Sequence, residues 1–132
     1  MTKFFRFDDV TTLASNNGLR LDRMLISNKT CGSEHLNCSL TEVKSSKDGA
    51  LQPLTGYHYH TKRELFIIGL EGSVTLLVEG KRYDVTPGTV LFVAPGEAHR
   101  MADIGKGDGK VLEIWHDPPG EKTVEVPYET ES

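Results

Sequence analysis

Residues 64–94 read ELFIIGLEGSVTLLVEGKRYDVTPGTVLFVA, and in this stretch short apolar runs alternate with turn residues. The runs ELFIIGL (64–70), SVTLLVEG (73–80) and GTVLFVA (88–94) have the length of β-strands. Between the second and third runs, VEGKRYDV predicts a hairpin, because Gly80 can adopt backbone angles that other residues avoid. This part of the chain therefore predicts consecutive antiparallel strands.

The same pattern continues on both sides of this stretch. Further strand-length runs are LRLDRMLI (19–26), HLNCSLTEV (35–43) and KVLEIWH (110–116), and only DDVTTLAS (8–15) could form a brief helical turn. Regularly spaced short strands with turn signals indicate an all-β sandwich or barrel. We find no internal repeat and no linker, so we expect a single domain over residues 1–132.

Composition and charge narrow the classes of function. The chain has 132 residues, of which 37% are apolar and 26% charged, as is typical of a soluble globular domain. A formal charge of −4 and a pI near 5.7 argue against a nucleic-acid-binding surface. No run is apolar enough for a signal peptide or a membrane span, so we expect a cytoplasmic protein with no membrane partner. Cys31 and Cys38 are expected to be free thiols.

The segment GYHYHTKRELFIIGLEG (56–72) concentrates possible metal ligands. Residues two apart on a strand share a face, so His58 and His60 point the same way, roughly 7 Å apart. The polar residues 61–63 could turn the chain and bring Glu64 beside the histidines. Two imidazoles and a carboxylate suit Fe(II) and similar divalent ions. A single pair of this kind is more often two exposed strand residues than a metal site.

A second segment, GTVLFVAPGEAHR (88–100), strengthens the metal interpretation. Its apolar strand ends at Pro95 and Gly96, which suit a tight turn. After this turn the chain can re-enter the fold with His99 as a fourth ligand. The metal set predicted from the sequence is thus His58, His60, Glu64 and His99.

These two segments resemble the two sequence motifs of the cupins. Residues 56–72 resemble the first motif, and residues 88–103 resemble the second. Three positions depart from the family pattern: Ala94 replaces a proline, Asp103 replaces an asparagine, and Gly72 comes one residue late. The matching positions are His58, His60, Glu64, Gly88, Gly96 and His99.

The resemblance implies a fold, a cofactor and an assembly. The fold is a single antiparallel jelly-roll β-barrel, which agrees with the strand pattern. The cofactor is one divalent transition metal ion, and Fe, Mn, Ni, Co, Cu and Zn all remain open. The resemblance to small cupins also implies a homodimer, to which open strand edges are suited.

Strand parity predicts the residues around the ion. Counting from the ligands places Gln52, Phe66, Ile68, Met101 and Asp103 in the substrate pocket. Such a pocket is mostly apolar, which favours a small organic substrate. Trp115 is expected in the core, whereas His35 and His116 are expected to be surface or structural histidines and not additional ligands.

Three functions remain open at this point, and no catalytic residue is assigned. The first and favoured one is an Fe(II)-type oxidoreductase or dioxygenase that acts on a small organic substrate. The second is a lyase or isomerase in which the ion acts as a Lewis acid. The third is a non-catalytic cupin that binds a small ligand.

Overall fold

Strands predominate in the computed structural model, which describes residues 1–46, 56–102 and 107–126. No helix in these ranges is long and apolar enough to cross a membrane. Within the described residues, helix is limited to α1 (Asn28–Cys31) and two 3₁₀ turns, Phe7–Asp9 and Asn16–Gly18. The strands are β1 (Thr12–Ser15), β2 (Arg20–Ile26), β3 (Leu36–Val43), β4 (His58–His60), β5 (Glu64–Gly72), β6 (Val74–Val78), β7 (Lys81–Val85), β8 (Val90–Val93), β9 (His99–Met101), β10 (Gly109–His116) and β11 (Thr123–Glu125).

The strands form two antiparallel sheets that share one apolar core. One sheet has the order β1-β2-β3-β10-β5-β8 and the other the order β11-β4-β9-β6-β7. Inward-facing residues of both sheets form the main core, which includes Ile67 of β5, Leu76 of β6 and Val111 of β10. The apolar runs predict strands in which buried and exposed side chains alternate, so that one face of each strand is buried. The predicted all-β jelly-roll fold is therefore confirmed.

The hairpin between β6 and β7 follows from its turn residues. Glu79 and Gly80 both have positive φ, 50° and 78°, which is the backbone of a type I′ turn. Val78 pairs with Lys81 directly across this turn. The hairpin predicted at Gly80 is confirmed.

A β-bulge near the end of β5 explains the late glycine of the first motif. β10 pairs with β5 residue by residue, but Lys110 lies opposite Glu71 and Val111 opposite Gly69, so Leu70 is an extra residue. Gly72 then has a φ of +59°, and a Cβ there would clash with the backbone carbonyl of Asp108. The extra residue, Leu70, thus places Gly72 one position later in the sequence. The regular pairing of residues 64–69 with β10 is kept.

The outer face of the six-stranded sheet carries exposed apolar side chains. Phe66 of β5 and Phe92 of β8 pack against each other with ring centroids 4.9 Å apart, and Val90 is exposed on the same strand as Phe92. Apolar surface of this kind is common at interfaces. The predicted homodimer stays a prediction.

Candidate metal centre

Three histidines come together on the inner face of the five-stranded sheet. His58 and His60 lie on β4, and His99 begins β9, where it pairs with His58 across the two strands. The turn at Pro95 and Gly96 positions His99, because the Gly96 amide donates to the carbonyl of His60 at 2.9 Å. The two sequence segments therefore meet through backbone hydrogen bonds beside the cluster.

The geometry of the three rings suits a shared ion. Their centroids are 5.2 Å apart for His58 and His60, 4.5 Å for His58 and His99, and 5.3 Å for His60 and His99. One ligand nitrogen from each ring lies within 4.8 Å of the others. His60 and His99 are buried, and His58 is half-buried. The three rings therefore already lie close together, and His58 is the most accessible of them.

Hydrogen bonds at the outer nitrogens indicate the tautomer of each ring. His99 Nδ1 is 3.0 Å from the carbonyl of Glu97, and His58 Nδ1 is 3.5 Å from the carbonyl of Gly56. His60 Nδ1 lies 2.9 Å from Thr123 Oγ1 and 3.7 Å from a carboxylate oxygen of Glu121. A proton on Nδ1 leaves Nε2 as a lone-pair donor, which is the usual arrangement around protein-bound metals.

Burial favours the neutral form of His60 and His99. Burial, followed by the nearby Arg63 guanidinium, lowers the pKa of His60 to about 4. Burial also lowers the pKa of His99 below its usual value. Neutral imidazole is the form that binds a metal ion. The residues present therefore fit a divalent ion such as Zn, Fe, Mn, Ni, Co or Cu.

The low pKa of His60 predicts a pH dependence of stability. In the unfolded chain this residue takes up a proton near pH 6.5, whereas in the fold it does so only near pH 4. The unfolded state binds more protons between these values, so acid favours unfolding. We expect the free energy of unfolding of the metal-free protein to fall by up to about 3 kcal/mol between pH 7 and pH 4. Urea unfolding curves at several pH values measure this loss.

Two variants separate the contribution of His60 to this pH dependence from that of other titrating groups. His60→Gln cannot take up a proton at this position, so its stability should change less steeply with pH. His116→Gln changes an exposed histidine on β10 and should keep the full slope. An unaltered pH slope in His60→Gln would contradict the assignment.

Glu64, predicted as the carboxylate ligand, lies elsewhere. It is exposed at the start of β5 and pairs with His116 of β10, while its neighbour Leu65 is buried and lines the cavity with the histidines. The structure does not bring Glu64 to the histidines, because the turn at residues 61–63 does not preserve the two-residue period of a strand. In the part of the chain that the structure describes, the group whose geometry suits a metal ion contains three histidines and no carboxylate.

The histidines line a cavity of about 580 Å³ between the two sheets. Met101 lines it, as predicted from His99. Phe66 and Ile68 do not, because they share the parity of Glu64 and therefore lie on the opposite face of β5 from Leu65 and Ile67. Gln52 and Asp103 lie outside the described residues. The other lining residues are Asn16, Arg20, Gly56, Arg63, Leu65, Leu76, Glu113, Trp115 and Glu125.

The cavity is more polar than predicted because the six-stranded sheet contributes an ionic network. Glu113 Oε2 accepts hydrogen bonds from Arg20 Nη2 at 3.0 Å and from Thr41 Oγ1 at 2.8 Å. Arg20 also pairs with Asp22 at 2.9 Å. Burial alone would lower the pKa of Arg20, but Glu113 and Asp22 raise it above its usual value. The network therefore fixes the position of the Glu113 carboxylate in the cavity wall that the six-stranded sheet forms.

A second arginine stands next to the histidine cluster. Arg63 Nη1 is 3.3 Å from His60 Nε2, while Nε and Nη2 bind the two carboxylate oxygens of Asp117 at 2.6 and 3.2 Å. Its guanidinium carbon lies 5.3 Å from the ring centroid of Trp115. Arg20, Arg63 and Glu113 are not among the site residues that the sequence pattern predicts.

Comparisons with known proteins agree with this architecture. The family model described as "Cupin domain" matches residues 49–115. A sugar phosphate isomerase of the cupin superfamily from Silicibacter pomeroyi superposes with a TM-score of 0.72 at 15% identity, over 96% of this chain and 83% of its own. The polyketide cyclase RemF from Streptomyces resistomycificus gives a TM-score of 0.72 at 23% identity, over 99% and 89%. At these identities the likeness shows the fold alone.

One curated relative is more similar in sequence over a shorter stretch. The uncharacterised HTH-type transcriptional regulator YobQ from Bacillus subtilis is 34% identical over 59 residues. The match covers 44% of this chain and 24% of the regulator. This likeness therefore spans about a quarter of that protein.

Proposed function

This chain belongs to the cupin domain family, and from that premise we propose that it is a metal-dependent enzyme in which a divalent ion and Glu113 act on one small organic substrate. The proposed reaction is a proton transfer next to a carbonyl group, as in an isomerisation, an elimination or a cyclisation. When bound, the ion supplies Lewis-acid polarisation of that carbonyl. The observation that carries the proposal is that Glu113 and the three histidines line one cavity.

Glu113 is suited to moving the proton. Arg20 and Thr41 both donate to its Oε2, and among the described residues no hydrogen bond ends on Oε1. One oxygen therefore orients the carboxylate while the other is left to take a proton from the substrate and return it. A fixed carboxylate within hydrogen-bond reach of a substrate proton is the usual arrangement for general acid–base catalysis. Leu65, Leu76 and Met101 supply an apolar wall that limits water around the substrate.

An Fe(II)-type dioxygenase is the second candidate, and the open coordination positions of the site support it. Three neutral imidazoles leave several coordination positions for substrate and O₂. This chemistry does not require the carboxylate that the protein fixes with Arg20 and Thr41. The Lewis-acid reaction uses both walls of the cavity, so we place it first.

Metal-dependent proton exchange tests the proposal directly. Protein reconstituted with Zn²⁺, Mn²⁺ or Fe²⁺ is incubated in D₂O with a panel of oxo acids, hydroxy acids, small sugars and 1,3-dicarbonyl compounds. We expect NMR to detect deuterium incorporation next to a carbonyl in at least one compound, with loss of the exchange after chelation and no consumption of O₂.

Two other results would each replace the proposal. Stoichiometric O₂ consumption by the Fe²⁺ form would favour the dioxygenase. Saturable binding of a panel compound with neither exchange nor O₂ uptake would favour a ligand-binding module, a role to which the likeness to a transcriptional regulator also lends support.

A further inference from the structure

Arg63 is held so that one nitrogen faces the histidine cluster. Its bidentate pair with Asp117 fixes the guanidinium fork, and the Trp115 ring lies against the guanidinium. Trp115 Nε1 donates to the same Asp117 carboxylate at 3.2 Å, which fixes the acceptor in turn. Nη1 is the nitrogen that Asp117 does not engage, and it lies 3.3 Å from His60 Nε2. The positive end of the Arg63–Asp117 pair therefore points at the site.

In this arrangement Arg63 and a metal ion compete for the same nitrogen of His60. His60 Nε2 is the nitrogen that its tautomer assigns to metal binding, yet the same lone pair accepts from Arg63 Nη1. An ion at His60 must displace this hydrogen bond and then lies close to a guanidinium, which it repels. No carboxylate belongs to the described ligand group to offset that repulsion. A negatively charged ligand between the ion and Arg63 would remove both costs.

We propose that the cavity binds a divalent ion and a small 2-hydroxy- or 2-oxocarboxylate together, and that Arg63 couples the two. The carboxylate of the acid accepts the hydrogen bond from Arg63 Nη1, which releases His60 Nε2 for the ion. The 2-hydroxy or 2-oxo oxygen of the acid is a second atom that can bind the ion. This inference rests on the proposed function, because it names the substrate class of the same site. Arg20 is not placed to serve the same purpose: Asp22 and Glu113 engage its Nε and Nη2, and its Nη1 lies 3.9 Å from the sulfur of Met101 and not against a histidine nitrogen.

Coupled binding has a thermodynamic signature. If the acid strengthens binding of the ion, the ion strengthens binding of the acid by the same factor, and factors of 5 to 150 are usual. The probes are Zn²⁺ and glycolate, the smallest 2-hydroxycarboxylate. Glycolamide has the same shape without the charge, and acetate has the charge without the hydroxyl group. Calorimetric titrations with a metal buffer keep the free Zn²⁺ concentration defined in each arm.

We expect saturating glycolate to tighten Zn²⁺ binding about tenfold or more, and glycolamide or acetate to change it less than threefold. Arg63→Gln should bind Zn²⁺ at least as tightly without an acid and lose the glycolate effect. Arg63→Lys, which cannot make the bidentate pair, should lose most of it. Arg82→Gln, which removes an exposed arginine beside Asp84, should retain the whole effect.

The outcomes separate this inference from the proposed function. Zn²⁺ binding that glycolate does not strengthen, or a glycolate effect that survives in both Arg63 variants, would overturn the coupling while leaving the metal site intact. Absence of Zn²⁺ binding in the unmodified protein, with or without glycolate, would overturn the metal-dependent function itself. Thermal unfolding of each variant verifies that it is folded.

Discussion

Replacing His60 with Ala is expected to weaken binding of a divalent ion at least 100-fold. The change removes one of three nitrogens that lie within 4.8 Å of one another. It also removes the imidazole whose orientation Thr123 and Glu121 fix through Nδ1. Loss of a ligand that is held in this way lowers metal affinity strongly. Glu121 cannot replace the imidazole as a ligand, because its carboxylate lies on the Nδ1 side of the His60 ring, away from Nε2. Competition titration against a chromogenic chelator measures the affinity.

Glu64→Gln is the matched comparison, because the first cupin motif would make Glu64 a ligand while the structure places it on the outer face of β5. We expect its affinity for the ion to stay within twofold of the unmodified protein. A loss in Glu64→Gln similar to that in His60→Ala would restore Glu64 to the ligand set. Full metal occupancy in His60→Ala would refute the three-histidine site.

The strands and the histidines could be predicted because both depend on local sequence. Alternation within one strand is enough to place His58 and His60 on a common face, since the period of two is fixed by the backbone. The turn at Pro95 and Gly96 likewise depends on adjacent residues. Glu64 could not be placed in this way, because its face depends on how many residues the preceding turn uses.

Other site residues were missed because they come from strands that pair over long distances in the chain. β10 lies between β3 and β5, so Glu113 reaches the cavity only through pairings with Ser39 and Ile67. One signal was present in the sequence. Val111, Glu113 and Trp115 share a parity, and a charged residue between two apolar ones on an inward face often marks a functional position.

Arg63 gave no comparable signal. It lies in the polar stretch 61–63, whose composition predicts only a turn. Its role depends on Asp117, 54 residues later, which locks the guanidinium beside His60. Only the three-dimensional fold brings these two groups together.

Glu113→Gln is expected to lower turnover about 100- to 10,000-fold on whichever substrate the exchange panel identifies. Glutamine has nearly the same shape and its amide oxygen can still accept from Arg20 and Thr41, so the wall of the cavity should keep its form. The amide cannot take up the substrate proton, so kcat should fall while KM changes little. Metal content should stay the same, because Glu113 is not among the three ligands.

Glu71→Gln provides the control for this last prediction. Glu71 also belongs to the six-stranded sheet, but its side chain is 71% exposed and pairs only weakly with Lys110 at 3.7 Å. Its turnover should match that of the unmodified protein. If Glu113→Gln instead retained full turnover with normal metal content, Glu113 would be a structural partner of Arg20 and the proton transfer would need another base. If it lost metal and turnover together, Glu113 would be acting on the ion or on the fold, and its assignment as the proton carrier would fail.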